Sequence, residues 1–266
     1  MKRAGARTAR ARTAPASPSG ALPVVALSLV GALLAGCGAS PKAVGPAGID
    51  ELTIPTPSPD PADFTGNAQN AWFPLEPGTR WTYRRYTPYG EQPMLATVLP
   101  HRRTIAGIPT SAVRWTVRAG GRERTVLVRW YAVDRAGDVW WFGQRVAPHA
   151  PVLDRLAPRS WTAGRGGAEA GLILTARPRE GDGYENAHQA GVVERRSTVV
   201  SLDGTAATPS RTYRHTVVTR DLSSLVPLHD VQTYFVRGLG MVGQQDTKAI
   251  STSLALVRMT AASPGE

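Results

Sequence analysis

The chain carries a single thiol. Cys37 is the only cysteine among 266 residues, and it follows the apolar run ALPVVALSLVGALL (21–34) after Ala35 and Gly36. One cysteine cannot close an intramolecular disulfide, so the fold must rest on its core. The thiol is left for modification.

Other chemistry-bearing patterns are weaker. GLGMVG (238–243) matches G-x-G-x-x-G, but QQDTKAI follows it without an apolar helical stripe, and a phosphate cradle needs a helix there. It reads as a turn. Asp134, Ala136 and Asp138 in DRAGD echo the first positions of a calcium loop, yet the middle ligand is missing and no Glu stands at the twelfth position. That stretch reads as a tight hairpin. His101, His149, His188, His215 and His229 include no i, i+4 pair, and H-E-x-x-H and G-x-S-x-G are both absent. Glu169, Glu180, Asp182, Glu185 and Glu194 lie in or beside a Gly-rich segment, where two carboxylates facing across a cleft would suit glycoside chemistry. The solvated-loop reading is preferred. No metal, no cofactor and no enzymatic activity are expected.

The segment before Cys37 explains the thiol. Residues 1–20 hold Lys2, Arg3, Arg7, Arg10 and Arg12 with no acid, and the apolar block follows as a separate unit. At about 1.5 Å rise per residue this block spans roughly 21 Å as a helix, short of the ~30 Å hydrocarbon core. It reads as a signal peptide, since a transit peptide would mix its charges through an amphipathic stretch. Leu34-Ala35-Gly36-Cys37 resembles the lipobox of bacterial lipoproteins. The resemblance implies diacylglyceryl transfer to the Cys37 sulfur, cleavage before Cys37, and acylation of the new amine. Two acyl chains at ~0.8 kcal/mol per buried methylene hold a protein on a membrane where one does not. The expected location is the outer face of the bacterial cytoplasmic membrane.

Processing also changes the charge. Residues 1–36 hold five basic and no acidic side chains, so their loss lowers the net charge from +11 to +6. Of the 31 basic residues, all but Lys2, Lys42 and Lys248 are Arg, which is a coding bias of G+C-rich genomes rather than a sign of an anionic polymer. No twin-arginine pair precedes the apolar block, so export unfolded is expected, and nucleic acid is not an expected partner.

Three regions follow: a signal peptide (1–36), a lipidated, Pro-rich tether (37–70) and a folded domain (71–262). The tether has six prolines and a flexible-limit span of about 30 Å. From Trp72 onward, short β-branched and aromatic runs alternate with Gly, Pro and Asp. Strands are expected at 80–87, 111–118, 124–133, 138–146, 191–202, 211–219, 230–238 and 251–259. The fold class is all-β: a meandering antiparallel sheet, curved or half-open, of roughly eight to ten strands. In 126–133 both faces carry apolar residues, so that strand is expected to be covered on both sides.

WFPLEPGTRWTY (72–83), WYAVDRAGDVWWFG (130–143), SWTAGRGGAEAGLIL (160–174) and YFVRGLGMV (234–242) together resemble a family of uncharacterised bacterial lipoproteins, actinobacterial in type. That family opens on FPL-x-PG-x-x-W-x-Y and shares the W-Y-A-x-D-x-x-G-x-V-W hairpin. The resemblance implies an envelope lipoprotein and supplies no activity. Trp141 stands where the family usually has Tyr, and Arg237 where it often has Pro.

All seven Trp lie in the first half of the domain. Ring faces beside Arg suit a sugar or a lipid headgroup, although most strand aromatics serve a core. Trp140 and Trp141 are the candidate ligand residues. The Arg pairs 84–85, 102–103 and 195–196 read as solvated faces. A monomeric, membrane-anchored protein binding a lipid, glycan or other amphiphile is the expected function. The alternative is an envelope interaction or structural module. An apolar cavity of several hundred Å³ on the concave face of the sheet separates the two.

Overall fold

The computed structural model describes residues 58–66, 68–88, 90–119, 122–148, 159–248 and 253–262. The signal segment, the lipobox (Leu34, Ala35, Gly36, Cys37) and His149 lie outside them. Among the described residues no helix is long and apolar enough to cross a membrane.

The strands are β1 (Arg80–Thr87), β2 (Gly90–Val98), β3 (Arg103–Ile105), β4 (Ile108–Ala119), β5 (Arg122–Val133), β6 (Val139–Val146) and β7 (Trp161–Thr162). They continue as β8 (Glu169–Leu174), β9 (Gly183–Gln189), β10 (Val193–Ala207), β11 (Thr212–Ser223), β12 (Asp230–Val236), β13 (Gly240–Asp246) and β14 (Ser253–Thr260). All pairings are antiparallel. β1 joins β14 on one side and β2 on the other, and β2 pairs β4, so the sheet closes on itself. Twelve strands form the ring, while β3 and β7 lie off it against β4 and β6.

The all-β antiparallel class is as expected, but the sheet is a closed barrel and its ring exceeds eight to ten strands. β2, β8, β9 and β13 account for the difference. Each lacks the β-branched density that marks the others, and β2 contains Pro93, which argues against a central strand. Pro93 pairs only with Arg84 of β1, because the β2–β4 ladder starts one residue later at Met94. Its missing N–H therefore faces no partner strand.

The outer wall is not an apolar band. Arg80, Arg114, Arg118, Arg196 and Arg220 are all exposed on it, unlike the lipid-facing surface of a membrane-spanning barrel. One sector is covered: β5 is buried from Val126 to Val133 except at Arg129, on both faces as expected. Outside it, Arg103 stacks over Trp130 at 4.5 Å, and Phe64 packs edge-on against Trp140 and Phe142.

Phe64 belongs to the stretch read as tether. Residues 58–66 and 68–70 instead pack on the barrel: a 3-10 turn at Pro61–Asp63 places Asp63 against Arg135, Phe64 is buried, and Asn70 donates to the Gly137 carbonyl at 2.7 Å. Six prolines hid one aromatic anchor.

Candidate functional site in the barrel lumen

A ring of twelve strands is wider than the eight-stranded barrel that side chains alone just fill. Large residues occupy the surplus here. Strand alternation turns Trp81, Tyr83 and Arg85 of β1 inward, Trp115 of β4, Arg129 and Tyr131 of β5, and Trp141 of β6. Phe73 enters from one end and its ring meets Tyr131 at 5.0 Å and Phe235 at 6.4 Å. A cavity of about 120 Å³ remains among them. That is below the several hundred Å³ expected for an enclosed lipid. It approaches the ~150 Å³ that takes a benzene ring.

The cavity has two unlike walls. On one, Tyr83 and Trp115 stack at 5.6 Å and 20°, with Ala96 and Val113 beside them. The Tyr83 hydroxyl donates to the Met241 carbonyl at 2.9 Å, and the buried Trp115 Nε1 has no hydrogen-bond partner. On the other wall stand Asn186, Arg195, Thr219, Asp221, Thr233 and Gln244. Gln244 donates to Thr233 Oγ1 at 3.1 Å, and Thr233 donates to Asp221 Oδ2 at 2.9 Å. Arg129 joins the walls. Its Nε donates to Gln144 Oε1 at 3.2 Å, it bonds the Tyr131 hydroxyl, and it lies over the Trp141 ring at 5.1 Å.

Burial sets the ionisation of this interior. Asp221 is pushed up to about 6 by loss of water, with Thr233, Arg195 and Arg129 acting against the rise. His229, buried near the same arginines with neither ring nitrogen bonded, is pushed down to about 4. Tyr83 and Tyr131 are raised by burial, so both remain phenols.

The two tryptophan candidates separate. Trp141 lines the cavity, its N–H bonded to the Gly143 carbonyl and its ring edge-on to Trp161 at 5.0 Å. Trp140 lies on the outer side under Phe64 and donates to Asp134 Oδ2 at 2.9 Å. The Arg pairs also divide. Arg85 is buried and Arg195 lines the cavity, which corrects their reading as solvated faces. Adjacent strand residues face opposite ways, so one member of each of these two pairs turns inward, whereas Arg102 and Arg103 are both exposed, as expected.

The remaining motifs are structural. In the loop before β6, Asp134 Oδ1 accepts from the Asp138 N–H, and Asp138 Oδ1 accepts from the Ala176 N–H. No group of His, Cys, Asp or Glu among the described residues is arranged to hold a metal. GLGMVG makes the β12–β13 hairpin, with Gly238 and Gly240 at φ +79° and +81°, and a strand rather than a helix follows. Glu180, Asp182, Glu185 and Glu194 serve neighbours: Leu202 N–H, Arg179, His188 and Ser224 respectively.

Segments 71–83 and 234–242 converge on the end that Phe73 plugs. Trp81 Nε1 donates to the Leu239 carbonyl at 2.6 Å, Gly238 N–H to Ala71 at 2.7 Å, and Arg237 lies over Trp72. They tie that end of the barrel together. A second hollow of about 560 Å³ lies there, under residues 64–79 and outside the concave face. Among the described residues Glu76 and Arg102 are the ionisable ones that line it, and Glu76 is bonded to Gln69.

No protein-family model and no curated protein matches the chain. A crystal structure from Parabacteroides distasonis, described as a "putative lipoprotein", is similar at 10% identity and a TM-score of 0.35, over 72% of this chain and 99% of its own.

Proposed function

We propose that the chain is a lipid-anchored, extracytoplasmic protein of the bacterial envelope, held through Cys37 at the outer face of the cytoplasmic membrane, whose barrel lumen binds part of an amphiphile. The anchor reading rests on the Leu34–Cys37 sequence after its basic and apolar blocks, and on the resemblance to the lipoprotein family. The lumen reading rests on one observation: a cavity with stacked rings on one side and Arg195, Asp221 and Gln244 on the other. Such a cavity presents both halves of an amphiphile with a matching wall. At about 120 Å³ it takes a headgroup or one ring, not a whole lipid.

Native mass spectrometry of the full-length protein, extracted from its own membranes, tests the lumen reading. A co-purifying small amphiphile of defined mass is expected. Protein of bare polypeptide mass, with Trp fluorescence unmoved across a lipid and glycan panel, rejects it. For the anchor, Cys37→Ser is expected to accumulate as unprocessed precursor, and processed protein in the detergent phase at wild-type level counts against it.

One observation favours a second reading, that of an interaction module. Leu225 and Leu228 stand exposed in the segment between β11 and β12, Leu228 at 67%. A largely filled lumen with apolar residues at its rim suits a protein partner.

A further inference from the structure

The outer wall sorts its charge. β14, β1, β2 and β4 are neighbours in the ring, and their outward residues include Arg80, Arg84, Arg114, Arg118 and Arg258 against one acid, Glu91. Alternation places them outside, because Trp81, Tyr83, Ala96 and Trp115 of the same strands line the cavity and Arg258 stands opposite Thr82, between two of these. Glu91 pairs with Arg84 at 3.4 Å, and Glu123 of β5 stands opposite Arg118. Arg80, Arg114 and Arg258 are exposed and make no ion pair among the described residues.

These three lie close together. Arg80 and Arg114 flank Thr97 in register, two strand spacings or about 10 Å apart, and Arg258 is diagonal to Arg80 at about 7–8 Å. The opposite side of the ring is arranged differently: Arg220 of β11 holds Asp230, and Arg196 of β10 stands opposite Glu185 of β9. A coding bias accounts for Arg in place of Lys along the whole chain. It does not account for acids beside the arginines of one wall and their absence beside three on the other.

We propose that the wall formed by β14, β1, β2 and β4 lies against the anionic headgroups of the membrane, with Arg80, Arg114 and Arg258 on lipid phosphates. This rests on the Cys37 anchor for the nearness of the membrane and adds which side of the barrel faces it. The 21 residues 37–57 reach at most about 75 Å when fully extended, so an anchored domain stays beside the bilayer. Guanidinium forks match phosphate oxygens, and each basic side chain at an anionic membrane surface adds roughly fivefold in affinity. Among the described residues no exposed large apolar side chain stands on these four strands, so the contact is with headgroups and not with hydrocarbon. Three cations on one wall give the barrel an orientation that a tether alone does not.

Arginine-specific glyoxal labelling, read by peptide mass spectrometry, tests the proposal. The protein, expressed full-length and purified from bacterial membranes, is reconstituted on vesicles of phosphatidylcholine alone or mixed in equal parts with phosphatidylglycerol. Arg80, Arg114 and Arg258 are expected to react at least threefold more slowly on the anionic vesicles, with Arg196 on the opposite side unchanged and the protection lost at high salt. The triple variant Arg80→Gln, Arg114→Gln, Arg258→Gln should keep the β spectrum and leave Arg84 and Arg118 equally reactive on both vesicles. Flotation with the neutral vesicles reports the anchor separately. Protein that floats with both kinds and labels equally on both overturns the wall assignment and leaves the anchor standing. Protein that fails to float with neutral vesicles yet shows the protection on anionic ones overturns the anchor and upholds the wall. Protection by soluble polyphosphate but not by the anionic vesicles puts an anionic polymer in place of the membrane and overturns the proposal.

Discussion

Trp140 and Trp141 are neighbours on β6 and stand on opposite sides of the barrel wall. Trp141 lies under the Arg129 guanidinium at the cavity, and Trp140 gives its N–H to Asp134 beneath Phe64. A ligand in the lumen touches one environment and not the other. Trp141→Phe should remove more of the ligand-induced fluorescence change than any other outward or inward exchange on β6. Trp140→Phe should leave that change intact while losing about 1 kcal/mol of stability with the Asp134 bond. An equal loss of response in both variants contradicts a site confined to the lumen.

Phe64 tests whether the barrel needs its N-terminal strap. The ring is buried against Trp140 and Phe142. Phe64→Ala should cost about 3 kcal/mol, the low end for a buried Phe, and red-shift the emission of Trp140. A variant as stable as wild type in urea denaturation would mean that residues 58–66 and 68–70 are an ornament on an independent barrel.

The legible and illegible parts of the sequence divide on physical grounds. β1, β4, β5, β6, β10, β11, β12 and β14 carry dense Val, Thr and aromatic runs, and each was expected within a few residues of its observed bounds. β9, GYENAHQ, is polar, and β13, GMVGQQD, begins inside a glycine pattern that reads as a turn. Those strands are held by their neighbours in a closed ring, a tertiary effect that local propensity does not register. The lumen was half legible. Trp141 was found from its aromatic character, but Arg129, Arg195 and Asp221 were not. Charged residues on strands read as solvent-facing, and only closure of the barrel gives the inward side no solvent.

The outer pair Arg220 and Asp230 predicts an acid limit to stability. Arg220 Nε and Nη2 donate to the two carboxylate oxygens of Asp230 at 2.9 and 2.6 Å, and this holds the Asp230 pKa down at about 2. A carboxyl with a lowered folded pKa contributes stability above its unfolded value near 4 and loses it as the pH falls through 2. Asp230→Asn should therefore be less stable than wild type by about 1–3 kcal/mol at neutral pH, a gap that closes between about pH 4 and 2. A gap of constant size over that window contradicts the pair's role.

Asp221 and His229 pull stability in opposite directions over one pH window. Asp221, raised to about 6, favours the folded state below about pH 4 and loses that contribution as the pH rises through 6. His229, lowered to about 4, contributes above about 6.5 and loses its contribution as the pH falls through 4. In the wild type the two slopes offset. Asp221→Asn should leave a protein whose stability rises with pH between about 4 and 6, and His229→Gln one whose stability falls there. Parallel pH profiles for the two variants in chemical denaturation would refute the assignment.

A ligand held in the lumen, rather than in the hollow at the plugged end or on the outer wall, must compete with any side chain that fills the cavity. Ala96 is buried, faces Trp81 and Trp115 across neighbouring strands, and lines the cavity. Ala96→Phe adds one ring to a space of about 120 Å³ and fills it, at an overpacking cost of about 1–3 kcal/mol. The direct measurement is native mass spectrometry of wild type and Ala96→Phe extracted side by side from the same membranes. The wild type should carry a bound small molecule and the filled variant none, both with the β spectrum of the folded barrel. The same mass bound at the same occupancy in both proteins contradicts a ligand in the lumen.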